Sequence, residues 1–392
     1  MTTELFIGKQ DLEQSLKVAC LATEATEGVI SSHCLIIVDE NPQIGIQFLA
    51  SDKKTLLSRS CINVYQLSAG TKTFQFTVEP RKILAILKTV ELHTIKLSFE
   101  EETKTLSIYT SPDNTAFIAL PSRDPAEYPP IEEIFTHIYN LQTVNAGVLL
   151  SGIQFIDKFL DPKHPKFSNL FIVKGSMYGA NGDNKAGAFT GEDLKDLDEL
   201  TFPASCLNGI CNFINNLDLK NVSLGTTSNG IFISSSEQRK FSFGFTKVKV
   251  PAPRIPITTE DPTGEGWLLD REMLLKRLNR LHITGDAKLG VQGYFSKESL
   301  HLTTVTDRAS KDILPCKSIG GVENKDTLFL ASCRLLESVL KQFGGRDINF
   351  YVDKKITLYT KISLEILEAE GKIIKPCICA AAISQARPEK TT

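Results

Sequence analysis

The sequence of 392 residues lacks the short motifs that usually mark a catalytic site. It has no P-loop, no Rossmann glycine fingerprint and no Gly-x-Ser-x-Gly nucleophile motif. Its six histidines are scattered, without a His-x-His or His-x-x-x-His pair. The most glycine-rich stretch, residues 174–182, lacks the lysine and hydroxyl that follow the last glycine of a phosphate-binding loop. We therefore predict that the protein is not an enzyme and requires no cofactor.

The residues of this sequence predict neither a membrane anchor nor a secretory signal. No apolar run approaches the roughly 20 residues that a membrane helix needs, and residues 1–4 lack the basic start of a signal peptide. The nine cysteines are odd in number and lie mostly in apolar runs, which is typical of buried free thiols. Cys377 and Cys379 have no second pair at zinc-ligand spacing, so we predict no metal site. These absences predict a cytoplasmic protein.

The overall composition is that of an ordinary globular protein. Hydrophobic residues make up 42% of the chain, charged residues 23%, and the net charge is −2. Nothing in this balance indicates a nucleic-acid partner, although a groove or ring can be basic locally while the exterior is acidic.

The pattern of a helix followed by a hairpin occurs three times along the sequence. The helix segments are 79–88, 202–210 and 330–336, and the hairpins that follow are 95–111, 221–236 and 347–362. A period of about 125–130 residues indicates equivalent domains. Proline-rich stretches at 121–130 and 250–256 favour boundaries there, because proline continues neither helix nor strand well. We predict three domains, at residues 1–128, 129–257 and 258–392.

Each predicted domain combines two short helices with many strands. The helix at 8–23 has an apolar stripe of Leu12, Leu16 and Ala19, and the helix at 270–281 sets leucines against arginines and lysines. One helix layer on one sheet layer predicts an α+β fold of three tandem repeats.

Several short segments resemble one known family. They occur in the family's order along the chain: Leu12–Leu16, Leu35–Val38, Ala50–Asp52, Glu79–Lys82 and Ala119–Pro129. The chain resembles the β subunit of bacterial DNA polymerase III, the sliding clamp, over essentially its whole length. The resemblance implies a clamp fold and a head-to-tail homodimer, closed into a ring of six domains. Its helices would line a hole for duplex DNA, without sequence specificity. DNA polymerase, a clamp loader and other proteins with clamp-binding motifs would be the partners.

The resemblance also gives basic helix residues a place facing DNA. The candidates are Lys9, Lys17, Arg81, Lys82, Lys88, Lys158, Lys163, Lys166, Arg271, Lys276, Arg277, Arg280, Arg334 and Lys341. Contacts from such residues to phosphate need no base recognition. A single lysine is equally typical of a solvated helix face. The cluster of Lys276, Arg277 and Arg280 opposite a leucine stripe favours DNA. The segment 204–215 has no lysine or arginine, which predicts uneven charge, strongest in the third repeat.

A second surface implied by the resemblance is a groove for short peptide motifs between the second and third domains. The matching residues are Phe167, Asn181, Asp183, Asn184, Lys185, Ala186, Pro251, Arg254, Ile255, Ala381 and Ile383. This chain has Asn184-Lys185-Ala186 where the family usually has His-Arg-Leu, and its ending departs from the family's Met-Pro-Met-Arg type. The altered groove leaves its motif open and suggests a phage- or plasmid-borne clamp. A simple turn at 180–186 is the other interpretation.

Two further hypotheses stay open at this level. One is an interaction hub with the clamp fold that serves transcription or repair proteins without tethering a replicative polymerase. The other is an enzyme of an unrecognised α+β type, which would need an acid, a base or a metal that the sequence does not reveal.

Overall fold

A computed structural model of the chain describes residues 2–26, 28–41, 44–67, 73–131, 138–182, 185–235, 240–248, 250, 266–284, 290–296, 298–305, 309–319, 327–353, 355–368 and 371–385. The helices among them are α1 (Lys9–Leu21), α2 (Pro80–Leu87), α3 (Ala146–Asp157), α4 (Ala204–Asn216), α5 (Arg271–Thr284) and α6 (Cys333–Leu340). None of these described helices combines the length and apolar character that a membrane span requires. The helices accompany antiparallel sheets, which confirms the predicted α+β class.

The strands are numbered in chain order. The first thirteen are β1 (Thr2–Gly8), β2 (Cys34–Val38), β3 (Ile46–Ser51), β4 (Leu56–Ile62), β5 (Tyr65–Leu67), β6 (Phe74–Val78), β7 (Thr94–Glu100), β8 (Thr105–Tyr109), β9 (Phe117–Pro121), β10 (Tyr139–Asn145), β11 (Asn169–Val173), β12 (Ser176–Asn181) and β13 (Lys185–Gly191). The others are β14 (Leu200–Pro203), β15 (Asn221–Thr226), β16 (Gly230–Ser235), β17 (Phe241–Thr246), β18 (Gly266–Asp270), β19 (Val291–Phe295), β20 (Ser299–Thr304), β21 (Lys311–Pro315), β22 (Lys317–Ile319), β23 (Thr327–Ala331), β24 (Asp347–Val352), β25 (Lys355–Glu368) and β26 (Gly371–Ser384).

The chain forms two compact units, residues 1–146 with 208–247, and residues 147–207 with 248–392. The first unit contains a five-stranded sheet, β5-β1-β7-β8-β9, and an eight-stranded sheet, β10-β15-β16-β17-β4-β3-β2-β6. The second unit contains a nine-stranded sheet, β14-β11-β12-β13-β26-β25-β24-β18-β22, and a four-stranded sheet, β21-β20-β19-β23. Strands from both sides of the predicted boundary at 128 share the eight-stranded sheet. The division into three domains therefore stays a prediction.

Local sequence explains where the short helices begin. Pro80 occupies the first turn of α2, where a missing N–H costs nothing. The side chain of Ser332 caps α6 by accepting a hydrogen bond from the Leu335 N–H at 3.4 Å. Ile83 and Leu87 are the buried apolar face of α2, and they join the core of the first unit.

One backbone hydrogen bond recurs at the start of α1, α3 and α5. The N–H of the first helical residue donates to the carbonyl that immediately precedes a later strand: Lys9 to His93 at 2.8 Å, Ala146 to Lys220 at 2.9 Å, and Arg271 to Arg346 at 2.8 Å. The strands concerned are β7, β15 and β24, which follow α2, α4 and α6. Three equivalent bonds at three equivalent places show the repeat that the helix-and-hairpin pattern predicted.

The start of the second helix has a related bond, which proline removes from the first repeat. The Ala204 N–H donates to the carbonyl of Ser168, the residue before β11, at 2.8 Å. The corresponding donor on α2 would be Pro80, which has no N–H. The carbonyl of His33, the residue before β2, instead accepts from the Tyr128 hydroxyl at 3.2 Å. That hydroxyl also accepts from the Ser51 N–H at 3.0 Å, and burial raises the pKa of Tyr128.

Basic side chains satisfy carbonyls at helix C-termini, where four carbonyls lack intrahelical partners. Arg81 on α2 donates to the carbonyls of Cys20 and Thr23 at 3.2 and 3.0 Å, at the end of α1. Lys9 on α1 donates in return to the Val90 carbonyl at 2.6 Å, just beyond α2. The helix pair α1–α2 is thus fastened at both ends.

We expect Arg81→Gln to lower the free energy of unfolding by about 1–2 kcal/mol, because carbonyls at the end of α1 lose a cationic donor. Urea denaturation followed by circular dichroism measures this change. Lys88→Gln is the matched control. Lys88 is exposed at the end of the same helix and has no side-chain partner among the described residues, so its change should stay within about 0.5 kcal/mol. Equal effects of the two substitutions would contradict the capping role.

Candidate functional site

The basic residues predicted to face DNA fall into three groups in the structure. The first group is engaged by backbone carbonyls. Lys9 and Arg81 bind the ends of α2 and α1, as described above. Arg271 donates to the carbonyls of Phe343 and Gly345 at 2.7 and 2.8 Å, beyond the end of α6. These three cations stabilise helix ends, and their charge is partly used there.

The second group is engaged by carboxylates. Lys82 lies 3.0 Å from Glu79, and Lys341 lies 2.5 Å from Glu337. Lys158 lies 3.8 Å from Asp157. Arg277 and Arg280 share one acid, Asp312, at 3.0 and 4.0 Å. Lys82, Lys158, Lys341 and Arg280 are at least 43% exposed, so their pairs contribute little to stability and leave the cation accessible to another anion.

The third group is exposed and has no side-chain partner within the part of the chain that the structure describes. Its members on or at the end of helices are Lys17, Lys88, Lys276 and Arg334, and its members in the turn after α3 are Lys163 and Lys166. Cations of this kind are able to pair with phosphate without first breaking a contact.

Helix α4 differs from the other helices on its solvent side. Its exposed residues are Ser205, Asn208, Asn212, Asn215 and Asn216, all of them uncharged. Its buried residues Cys206, Ile210, Phe213 and Ile214 are the apolar face that the sequence predicted. The exposed surface of this helix is therefore an amide surface, while α1, α2, α5 and α6 each expose cations.

A second feature is the sheet face where β13 pairs with β26. Five alanines cover its centre, and aromatic side chains surround them; we call this the alanine face. Its members are Ala180, Ala186, Ala188, Ala380 and Ala382, with Phe167, Tyr178, Tyr351, Tyr359 and Ile378 packed against them. The strand register explains the grouping, because Ala180, Ala186 and Ala382 are direct cross-strand neighbours. Phe167 and Tyr178 are only partly buried, which leaves aromatic surface accessible at this face.

The predicted groove residues divide between the two faces of this sheet. Phe167 and Ala186 lie on the alanine face. Ala381 and Ile383 alternate with Ala380 and Ala382, so they lie on the opposite face, fully buried. Asn181 and Lys185 pair in register with Ile383 and share that face. Asp183, Asn184, Pro251, Arg254 and Ile255 lie outside the described residues.

Lys185 has a specific contact that its sequence position did not indicate. Its ammonium group donates to the Lys158 carbonyl at 2.6 Å, just beyond α3, and lies 5.7 Å from the centre of the Phe159 ring. Burial lowers the pKa of Lys185. Lys185 thus caps a helix end in the second repeat, as Arg81 does in the first.

Sequence interpretation missed most of the alanine face. Ala188, Ala380 and the three tyrosines were not predicted as site residues. A signal was present, because small residues alternate at 180, 186 and 188 and again at 380 and 382. Recognising it requires the pairing of β13 with β26, which no local pattern contains.

Two of the thiols, Cys20 and Cys379, are unsuited to nucleophilic chemistry. Burial raises the pKa of Cys379 to about 12 and that of Cys20 to about 11, although Arg81 partly opposes the shift of Cys20. A protonated thiol is a poor nucleophile at neutral pH. Among the described residues, no group of three or more His, Cys, Asp or Glu side chains is placed to hold a metal ion.

Comparison with known proteins gives a structural result only. No protein-family model matches the sequence, and no curated protein matches it either. A putative DNA polymerase III β subunit from Eubacterium rectale superposes with a TM-score of 0.73 at 12% identity, covering 98% of this chain and 100% of the other. The β subunit from Streptococcus pyogenes superposes with a TM-score of 0.72 at 14% identity, with the same coverage. A DNA polymerase sliding clamp from Pseudomonas aeruginosa gives 0.71 at 15%, again over 98% and 100%.

This chain has the sliding-clamp fold. The similarity extends over nearly the whole chain, so all three repeats take part in it. The chain shares this fold with structures to which it is only 12–15% identical in sequence.

Proposed function

We propose that this chain is a sliding clamp, a non-enzymatic processivity factor that closes into a homodimeric ring around duplex DNA. The observation that carries the proposal is a pair of unpaired strand edges. The sheets divide into half-sheets of two kinds. Each half-sheet ends on one strand, which either pairs with a half-sheet of the other kind or is an open edge. Those ending on β4, β13 and β21 are of the first kind, and those ending on β9, β17 and β26 are of the second kind.

Inside the chain, a strand of the first kind always pairs with a strand of the second kind. β4 pairs with β17, and β13 pairs with β26, both antiparallel. Only β21 and β9 remain without such a partner among the described strands, and they stand at the edges of the four- and five-stranded sheets. Pairing β21 of one copy with β9 of another repeats the internal arrangement. Two copies joined head to tail use both edges and leave none of this kind open.

The side chains on these two strands support the pairing. On β9, Phe117 and Ile118 are 56% and 39% exposed, and on β21, Ile313 is 54% exposed. An exposed apolar edge strand is a template for another strand, and proteins normally charge it, cover it or pair it. By contrast, the strand β17 is almost entirely buried at its internal junction.

The three predicted domains fit this scheme. With boundaries near 128 and 257, each domain contains one half-sheet of each kind, and both internal junctions fall between consecutive domains. The recurring bonds of Lys9, Ala146 and Arg271 support the same division. A ring of two chains then has six domains.

The helices supply the proposed DNA-facing surface. Exposed lysines and arginines on α1, α2, α5 and α6 offer phosphate contacts without base recognition, which permits sliding. The proposed location is the cytoplasm, and the proposed partners are DNA polymerase and a clamp loader. The alanine face, at the junction of the second and third domains, is the proposed site for their linear motifs, with Phe167 and Tyr178 as its accessible aromatic surface.

One observation favours the alternative of a hub without DNA tethering. Eight of the fourteen predicted DNA-facing cations are engaged by acceptors of the protein itself: Lys9, Arg81, Arg271, Lys82, Lys158, Arg277, Arg280 and Lys341. In that alternative, motif binding at the alanine face would persist without any retention on DNA.

For the ring, we expect Ile313→Asp to convert the dimer into monomers, because the substitution places a carboxylate in the β21–β9 junction. Light scattering coupled to gel filtration measures the mass. Leu328→Asp is the matched control, since Leu328 is 56% exposed on β23, the other edge of the same sheet. The control should remain a dimer. A wild-type monomer, or dissociation by both variants, would contradict the proposed interface.

For DNA, we expect the wild-type ring, loaded onto nicked circular plasmid by its clamp loader, to be released when the plasmid is linearised. Lys276→Glu with Arg334→Glu should reduce the salt dependence of duplex binding, by about 0.9 in the log–log slope per lost phosphate contact. Lys174→Glu, in the exposed turn after β11, should change neither quantity. Motif binding without retention on circles would establish the hub instead.

For the peptide site, we expect Phe167→Ala to weaken binding of a peptide bearing the clamp-binding motif of a bacterial DNA polymerase. A loss of about tenfold corresponds to the removal of one interface aromatic. Fluorescence anisotropy with a labelled peptide measures it. Tyr139→Ala is the control, because Tyr139 is 59% exposed on β10 in the other unit. Unchanged affinity in the Phe167 variant would exclude the alanine face as the docking surface.

A further inference from the structure

Two arginines of helix α5 converge on one carboxylate of an edge strand. The Nη1 atoms of Arg277 and Arg280 lie 3.0 and 4.0 Å from the two carboxylate oxygens of Asp312, which is part of β21. The Asp312 side chain is only 15% exposed, while those of Arg277 and Arg280 are 27% and 65% exposed. The carboxylate also accepts the Ile313 N–H at 2.8 Å.

This arrangement has the chemistry of an oxyanion site with an internal occupant. Two guanidinium groups one helical turn apart present several N–H donors to a single small anion. Guanidinium binds carboxylate and phosphate with the same fork geometry, so the two anions are direct competitors. Asp312 stands where a phosphate oxygen would be bound.

The other carboxylate pairs on these helices are different in kind. Lys82 pairs with Glu79 three residues earlier, and Lys341 pairs with Glu337 four residues earlier. In both, one lysine meets one acid of the same helix or its cap. The Asp312 pairing instead brings two arginines to one acid on another element.

We infer that Asp312 is an intramolecular competitor of DNA phosphate for Arg277 and Arg280. It thereby lowers the number of cations that the ring offers to DNA. The inference rests on the proposed function, because it assigns these arginines to the DNA-facing surface. In the protein without DNA, Asp312 neutralises part of the charge of the two arginines. Lys276, which is adjacent to Arg277 on the same helix, has no such partner among the described residues. The carboxylate limits how tightly the third repeat holds DNA, which favours sliding over fixed binding.

The test measures duplex DNA binding by the dimer as a function of salt concentration. Asp312→Asn keeps the size of the side chain and removes its charge, which removes the carboxylate that competes with phosphate for these arginines. Each arginine that pairs with a phosphate steepens the log–log slope by about 0.9. When both arginines do so, the affinity of the variant should fall about tenfold more than that of the wild type between 50 and 200 mM salt.

Three matched variants separate competition from a general effect of charge. Asp353→Asn removes one exposed carboxylate from the turn between β24 and β25 and should leave the slope unchanged. Asp312→Glu keeps the acid and should behave as the wild type. In an Arg277→Gln, Arg280→Gln background, Asp312→Asn should have no further effect on the slope. Light scattering confirms that each variant remains a dimer.

A second variant without the carboxylate controls for a folding defect in the first. Asp312→Ser retains a polar acceptor for the Ile313 N–H and must reproduce the steeper slope if Asp312→Asn dissociates the dimer. An intact Asp312→Asn or Asp312→Ser dimer with the wild-type slope overturns the inference while leaving the clamp proposal standing. Persistence of the effect without the two arginines also overturns it. A wild-type dimer that binds no DNA at any salt concentration removes both proposals.

Discussion

The described helices have 8 to 14 residues, and the unpaired groups at the ends of each must be satisfied by something outside the helix. The structure meets this requirement by joining the two helices of a repeat to each other's ends. The first N–H of α1, α3 and α5 binds a carbonyl beyond the second helix of its repeat. The side chains of Lys9 and Arg271 bind carbonyls at that same end, and Arg81 binds carbonyls at the end of α1. The position of the helices on the sheets depends on these bonds, and so does the number of cations left for a ligand.

The same requirement explains why the helices could be predicted well from the sequence and the site only poorly. Apolar spacing located α1, α2, α5 and α6 to within a few residues, because the buried stripe and the helix period are both local. The roles of cations are not local. Arg81 and Lys276 look alike in sequence, as exposed basic residues of amphipathic helices, yet one is bonded to a neighbouring helix end and the other has no partner among the described residues.

Strand pairing sets the second limit. The repeat of helix and hairpin was visible, but the junctions of β4 with β17 and β13 with β26 join residues almost 200 positions apart. Those junctions decide which residues share a face. Ala381 and Ile383 matched the groove by position in the chain, whereas alternation along β26 sends them to the opposite face and brings Ala380 and Ala382 to the aromatic side. Two residues that are adjacent along a strand therefore lie on opposite faces of the sheet.

The hydrogen bonds of Tyr128 affect how many binding faces one chain offers to partners. At the β4–β17 junction, Leu35, Leu49 and Phe232 form an apolar cluster. The segment that contains Tyr128 and Ile131 covers this cluster, and both side chains pack into it. Pro80 has no N–H to donate to the His33 carbonyl, and the Tyr128 hydroxyl donates to it instead, which ties the covering segment to β2. The chain is thus its own ligand at one junction and keeps alanines at the other. In the proposed ring, each copy then offers one alanine face, and the dimer offers two.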